Sequence, residues 1–401
     1  MFFRIIVMLL LFYSQSLALS GALKMTTFSA FPCFQLQISP ENKRGDPFTP
    51  KMKLRTFRTE ISVQESKEKV DYTQKISLIG SCFSENIGKR LKKMKFQVDI
   101  NPFGIIFNPI SIQRCIDKCI QSPPTPYGPQ DLLYNDALEI WYSWDHHSSF
   151  SHSTQEFTLQ NINHRMSSAR THLLNSNWLI ITLGSAWAYE VKEEGEMTQD
   201  ASRIVANCHK IPQKFFHKRL LGVEEIVSKL GSSLEQLHQI NPDIKTVFTI
   251  SPVRHWKDGP LENMRSKAHL VTAVHQLCEK LGSSCRIGYF PAYELMMDDL
   301  RDYRFYEEGM LHPSPLAVNY IWEKFSSCYF KDETINVMDK VVRIHQAMDH
   351  KPFQPEGQAH QKFVQSQLKI LDQMIQQHPS LDFTIEKSYF LSCLNSPNDM
   401  L

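Results

Sequence analysis

The chain has almost no net charge: 44 Lys+Arg against 42 Asp+Glu leave +2 across 401 residues. No basic excess therefore argues for a nucleic acid, and binding to a polyanion would need a local patch. Cys-x-x-Cys pairs are missing, and the nine cysteines (Cys33, Cys82, Cys115, Cys119, Cys208, Cys278, Cys285, Cys328, Cys393) are an odd number. A complete disulfide framework and a thiolate zinc site are both disfavoured by that pattern. His209, His255 and His312 also lack metal-site spacing, so no metal and no other cofactor is expected. There is no internal repeat and no long low-complexity tract. The segment from Gln121 to Pro129 is a proline-rich connector and reads as an exposed loop.

Long apolar runs are lacking as well. Ile5 to Tyr13, after Arg4 and before the small residues around Ala18 and Ser20, is too short for a stable membrane span. It has the layout of a secretory signal. The alternative is a start further along, at Met25 or Met52, with residues 26 to 50 irregular. A start at Met52 implies a cytoplasmic protein, whereas cleavage near Ser20 implies a secreted or periplasmic one; both readings stay open.

What is present is an ordinary globular composition, 42% hydrophobic and 21% charged. Collagen-like, coiled-coil and wholly disordered chains are excluded. At about 150 residues per domain the length allows two or three units, or one large α/β unit with extensions. From Lys75 a regular pattern begins. The run Ile76 to Gly80 reads as a buried parallel strand, followed by a helix with Ile87, Leu91 and Met94 on its apolar face and Ser84 as N-cap. Phe96 to Ile100, Asn177 to Leu183, Lys245 to Ile250 and Arg286 to Phe290 are further strands. Helical patterns run from Val223 to Leu237 and from Met264 to Leu281. Such alternation predicts a doubly wound parallel α/β sheet, with ligands beyond the carboxyl ends of its strands. Residues 331 to 401 read as helices, with Phe363, Val364, Leu368, Leu371 and Ile375 on one face.

The chemistry-bearing residues fall at strand ends. Gly80-Ser81-Cys82 sits where a strand hands over to a helix N-terminus, whose free amides and dipole stabilise a thiolate or an oxyanion. Ser81 and Cys82 point to opposite sides, so only one faces substrate. Taken alone, the tripeptide reads first as a buried core cysteine and a capping serine, because buried free cysteine is common. His312, before the predicted N-cap Ser314 and Pro315, lies on the same edge and can act as a base if it meets the nucleophile in space. Ser185 and Trp187 follow one strand, Arg254 and His255 another. The latter two suit an anionic or sugar-like substrate, or a satisfied loop. Gly104, after the strand ending at Ile100, can offer an amide to an oxyanion hole. Trp141, Tyr142, Trp144, Asp145 and His146 either line a sugar site or form a half-buried strand.

Gly-Ser-Cys-Phe-Ser at 80 to 84 resembles the motif that names the GSCFA family, a mainly bacterial group similar to the SGNH/GDSL hydrolases. The resemblance covers about residues 55 to 326. It extends through Phe57 to Ile61, Asn101 to Pro109, Thr182 to Trp187, Ala206 to Lys210, Ser251 to His255, Tyr303 to Tyr306 and Met310 to Ser314. The resemblance implies a three-layer flavodoxin-like sheet in residues 52–330, preceded by a leader-like segment (1–51) and followed by a helical extension (331–401). It also implies an esterase-like hydrolase that deacylates a small-molecule or polysaccharide ester, a carbohydrate or envelope polymer, through a covalent acyl-enzyme. On that pattern Cys82 takes the nucleophile position, Ser81 the aspartate position of G-D-S, His312 the base and Gly104 the oxyanion glycine. Two positions depart from it. Ala186 or Trp187 stands where an asparagine belongs, and Gly309 replaces the aspartate of D-x-x-H, leaving Glu308 to orient His312. Two other outcomes are a catalytically impaired carbohydrate-binding protein on the same fold and a serine nucleophile at Ser81 or Ser84.

Overall fold

The computed structural model describes residues 60–191 and 203–394. The leader-like segment 1–51, with Cys33, and the possible start Met52 lie outside the described residues. In chain order the strands are β1 (Lys75–Gly80), β2 (Gln97–Ile100), β3 (Leu133–Asn135), β4 (Ile140–Tyr142), β5 (Trp178–Leu183), β6 (Trp187–Val191), β7 (Arg203–Ile204), β8 (Phe216–Leu220), β9 (Lys245–Ile250) and β10 (Ile287–Phe290). The longer helices are α1 (Cys82–Lys93), α2 (Pro109–Ile120), α3 (Gln155–Leu174), α4 (Val223–Ile240), α5 (Gly259–Leu281), α6 (Pro315–Tyr329), α7 (Asp332–Asp349), α8 (Gln358–Gln377) and α9 (Thr384–Leu394).

Five strands form one wholly parallel sheet in the order β10-β9-β5-β1-β2. The chain moves outward from β1 to β2 and then returns to the other side of β1 to lay down β5. In such a sheet the crossovers leave in opposite directions from β1 and β5, opening a crevice between their carboxyl ends. Side-chain alternation divides the core in two. Leu179, Ile181 and Leu183 join apolar residues of α2, α3, α4 and α5, while Trp178 and Ile180 join those of α1 and α6. Both faces are covered, and β5 and β9 are buried along their whole length. This is the three-layer α/β arrangement expected from the alternating pattern. Two small antiparallel sheets, β3-β4 and β7-β6-β8, are inserted between its strands and were not apparent from periodicity. No helix among the described residues is long and apolar enough to cross a membrane.

The C-terminal helices share the second apolar cluster: Val341, Val364, Leu371 and Phe390 belong with Leu91, Phe96 and Phe330. Polar groups are buried in this seam. Lys95, at φ 72 just beyond α1, places its Nζ 2.6 Å from a carboxylate oxygen of Glu386, and His345 Nε2 lies 3.0 Å from the same oxygen. Burial raises the Glu386 pKa, but the hydrogen bonds from Lys95 and His345 outweigh it and leave the carboxyl below its ordinary 4.5. A carboxyl depressed in the folded state adds stability above its unfolded pKa and loses it as pH falls through the folded value. Glu386→Ala is therefore expected to cost about 3 kcal/mol at pH 7, because the largely buried Lys95 ammonium is left without its partner. Urea unfolding of both proteins from pH 7 to pH 3 checks this. The difference should shrink below about pH 4.5, and a constant difference would assign the loss to packing.

Candidate active site

The site begins with the handover from β1 to α1. Gly80 has φ +150, and a Cβ there would stand 2.3 Å from the Thr182 carbonyl oxygen, so only glycine lets β1 run this close to β5 at the switch point. The Ser81 amide donates to that same carbonyl oxygen at 3.1 Å. The helix starts three residues earlier than the Ser84 cap predicts. Ser81 is the N-cap, its Oγ accepting from the Phe83 amide at 3.3 Å, and it is buried. Cys82 thus becomes the first helical residue and is half-buried, while the Ser84 hydroxyl is fully buried without a hydrogen-bond partner.

Burial pushes the Cys82 thiol up from its usual value, and Glu85 pushes the same way. The amides of Phe83 and Cys82 and the charge of Lys267 oppose this without cancelling it. A thiolate preformed by the helix N-terminus is therefore not the resting state. The thiol carries its proton and needs a base at the moment of attack.

His312 lies in a tight turn at the same sheet edge. Glu307 donates its amide to the His312 carbonyl (2.8 Å), Met310 donates to Glu307 (2.8 Å), and Arg254 donates its amide to the Leu311 carbonyl (3.0 Å). The turn is thereby held to the loop after β9. Ser314 caps α6 and Pro315 opens it, as the sequence predicts. His312 and Glu308 are both exposed, and no hydrogen bond or ion pair joins them. The expected orienting role of Glu308 is not realised, because the turn is closed by backbone bonds and leaves that carboxylate in solvent. No hydrogen bond joins His312 to Cys82 either.

The remaining candidates divide. His255 lies tilted against Phe107 with ring centroids 5.2 Å apart, its amide donates to Asn263 at 3.0 Å, and its Nε2 is buried without a partner. Burial drives its pKa down to about 4, with the charge of Lys267 adding to the effect, so the ring is neutral at pH 7. Arg254 lies over the Trp256 ring at 5.5 Å, with a buried Nε that has no partner. Both keep unsatisfied polar atoms at this edge, as does Asn101, whose Oδ1 accepts from the Gly80 amide (2.9 Å) while its Nδ2 is unpartnered. Gly104 is different. Its amide donates to the Asn101 carbonyl at 2.8 Å, and at φ +77 a Cβ would stand 2.3 Å from His147 Cβ. The glycine is needed for a close turn, and its amide is not free to meet an oxyanion. Ser185 is likewise committed: its Oγ pairs with Ser266 Oγ (3.1 Å) and accepts from the Trp187 amide (3.1 Å). Trp187 donates its indole N–H to Glu262 (3.1 Å) and lies under the Lys218 ammonium.

The aromatic cluster at 141 to 146 packs on itself. Tyr142 and Trp144 lie against His209, and His146 is fully buried against Phe103, its pKa forced down to about 3 by desolvation. Only Trp141 and Tyr142 belong to a strand, β4; Trp144, Asp145 and His146 form the turn after it. Sequence reasoning missed Lys267 entirely. It is 1% exposed, and its Nζ donates to the carbonyl oxygens of Gly184 (2.8 Å) and Ser251 (2.7 Å). The signal was a lysine lying in the buried stripe Asn263, Ser266, Leu270, Ala273, Val274 and Leu277 of α5. Among the described residues no group of three or more His, Cys, Asp or Glu could hold a metal ion.

The structure thus defines a three-layer α/β protein with a wholly parallel five-stranded sheet, whose first strand hands over to a helix opened by a half-buried cysteine. Residues 75–325 match the GSCFA family model and residues 341–396 match the model of the GSCFA domain protein, C-terminal domain. The chain belongs to the GSCFA family. A comparison with curated proteins gives no match. Among solved structures the fold is similar to an acetyl xylan esterase, Est2A, from the rumen bacterium Butyrivibrio proteoclasticus, at 10% identity and a TM-score of 0.30. The likeness covers 64% of this chain and spans 64% of that one, just under two thirds of its length.

Proposed function

We propose that this protein is an ester hydrolase that removes acyl groups from a carbohydrate or envelope polymer, with Cys82 as nucleophile. The observation that carries the reading is the position of Cys82, half-buried as the first residue of α1 at the β1/β5 switch point. In this reading the sulfur attacks the acyl carbon as its proton passes to His312. The alcohol leaves with that proton, and water then hydrolyses the thioester to a carboxylic acid and the free thiol. Asn101 Nδ2, a donor without a partner beside Gly80, suits the oxygen that becomes negative in the tetrahedral intermediate. Arg254 and His255 supply polar contacts for the rest of the substrate.

The test uses p-nitrophenyl acetate and acetylated oligosaccharides, with acid quenching during turnover and peptide mass spectrometry. An acyl adduct on the Cys82 peptide that disappears on chase is the expected result. Turnover with an adduct on Ser81 or Ser84 would reassign the nucleophile. Folded protein with no turnover, binding the oligosaccharides with or without Cys82, would make it a binding protein.

A further inference from the structure

We propose that the groove between α7 and α8 is a docking site for an amphipathic helix of another protein, one whose apolar stripe is flanked by carboxylates. The inference is independent of the reading of Cys82. It begins with the spacing of two rows of side chains that line the groove. On α7, Lys340, Arg343 and Ala347 fall at i, i+3 and i+7; on α8, Phe363, Gln367, Ile370, Met374 and Gln377 fall at i, i+4, i+7, i+11 and i+14. Rows that alternate threes and fours run straight along a helix, and such rows are what a further helix packs against. α8 already meets the rest of the protein through a second row, Val364, Leu368, Leu371 and Ile375. The groove beside it has a volume of about 570 Å³. Its deeper positions, Ile344 and Met374, are buried, whereas Ile370 is left 41% exposed. Because α7, α8 and α9 pack on one another, a helix laid in this groove would complete a four-helix arrangement.

Charge selects the occupant. The lining carries Lys340, Arg343 and His350 and no Asp or Glu. Among the described residues Lys340 and Arg343 form no ion pair, while Asp372, also on α8, is taken by Lys387 of α9 at 2.8 Å. The cations therefore stand beside an apolar groove with their counter-charge to be supplied from outside. An incoming helix gains affinity from its apolar stripe, and carboxylates along the edge of that stripe fix its orientation and exclude basic competitors. Gln367, Gln373 and Gln377 add amide donors for the same carboxylates. Pairing of this face with itself in a second copy supplies no carboxylate, because the lining has none. A flat lipid surface does not fill a concave groove between two helices.

The row from Phe363 to Gln377 spans about 21 Å at about 1.5 Å per residue, so a helical peptide of about 18 residues covers it. Two such fluorescein-labelled peptides are titrated into the full chain and followed by anisotropy. Both carry the same leucine stripe at heptad spacing, one flanked by glutamate and the other by lysine. The glutamate peptide is expected to bind about 10-fold tighter or more at low salt, with the advantage shrinking at about 0.5 M salt. Ile370→Asp should weaken it by about 10-fold or more, and Lys340→Glu combined with Arg343→Glu should reverse the preference between the peptides. All three side chains are exposed, so both variants should fold. Equal affinity for the two peptides, no binding of either, or glutamate-peptide binding that survives both variants overturns the proposal. Dimerisation in sedimentation that Ile370→Asp abolishes would give the groove to a second copy instead. Cosedimentation with phosphatidylglycerol vesicles that the double charge reversal abolishes would give it to a lipid surface, and either result also overturns the proposal.

Discussion

Cys82→Ala is expected to lower kcat/KM for short-chain acyl esters by about 10^4-fold or more, the scale on which removing a nucleophile acts when the rest of the site remains. The substitution removes one half-buried sulfur from the first turn of α1, whose cap is Ser81 and whose packing rests on Phe83, Ile87 and Leu91. Stability should therefore change little. Ser81→Ala separates the alternatives, because its Oγ caps α1 and is buried. It should cost about 1 kcal/mol of stability and only a few-fold in rate. His312→Ala should cost about 10^2- to 10^4-fold in kcat, as expected for a base removed from solvent-exposed reach of the nucleophile. Steady-state kinetics with urea unfolding of each variant make the comparison. Equal losses in Ser81→Ala and Cys82→Ala, both folded, would discard the thiol mechanism. Because burial holds the thiol protonated, wild-type rates should also rise with pH above neutrality rather than stay flat.

Gly309→Asp is expected to raise activity, by up to about 10^2-fold in kcat/KM, by restoring a carboxylate three residues before His312. Losing the orienting carboxylate of a catalytic histidine costs about 10^4-fold in well-studied triads, so part of that factor is open to recovery. The structure admits the side chain: a Cβ on Gly309 meets nothing within 4 Å, and Gly309 is not among the residues with positive φ. The turn is closed by backbone hydrogen bonds from Met310 and Glu307, which the substitution leaves in place. Gly309→Ala and Gly309→Asn serve as controls for loop stiffening and for a neutral side chain. A gain confined to Asp supports His312 as the base. If Asp and Ala behave alike, either His312 is not the base or its ring is oriented by something else.

Much of the sheet was legible because its physics is local. A parallel strand covered on both faces must be a short apolar run, and the helices between must present one apolar stripe. Boundaries shifted by a residue at Phe96, Asn177 and Arg286. The larger slip was at Ser84. Either serine can cap, and the choice of Ser81 depends on its amide reaching Thr182, a partner about one hundred residues away in sequence. The same holds for Gly104 and Ser185, whose positions at strand ends fit a substrate role until their hydrogen bonds to Asn101 and Ser266 are seen.

By itself, then, the sequence determined the class of fold, the strand ends that carry the candidate residues, the family and the pair Cys82 and His312 as the residues to examine. Only the tertiary structure decided which serine caps, that the thiol rests protonated, that Glu308 makes no bond to His312 and that Lys267 is buried on the carbonyls beyond β5 and β9. Local pattern follows from the period of backbone and side chain along one element. Hydrogen-bond partners and ionisation depend on what other elements bring within a few ångströms, and on the water they exclude.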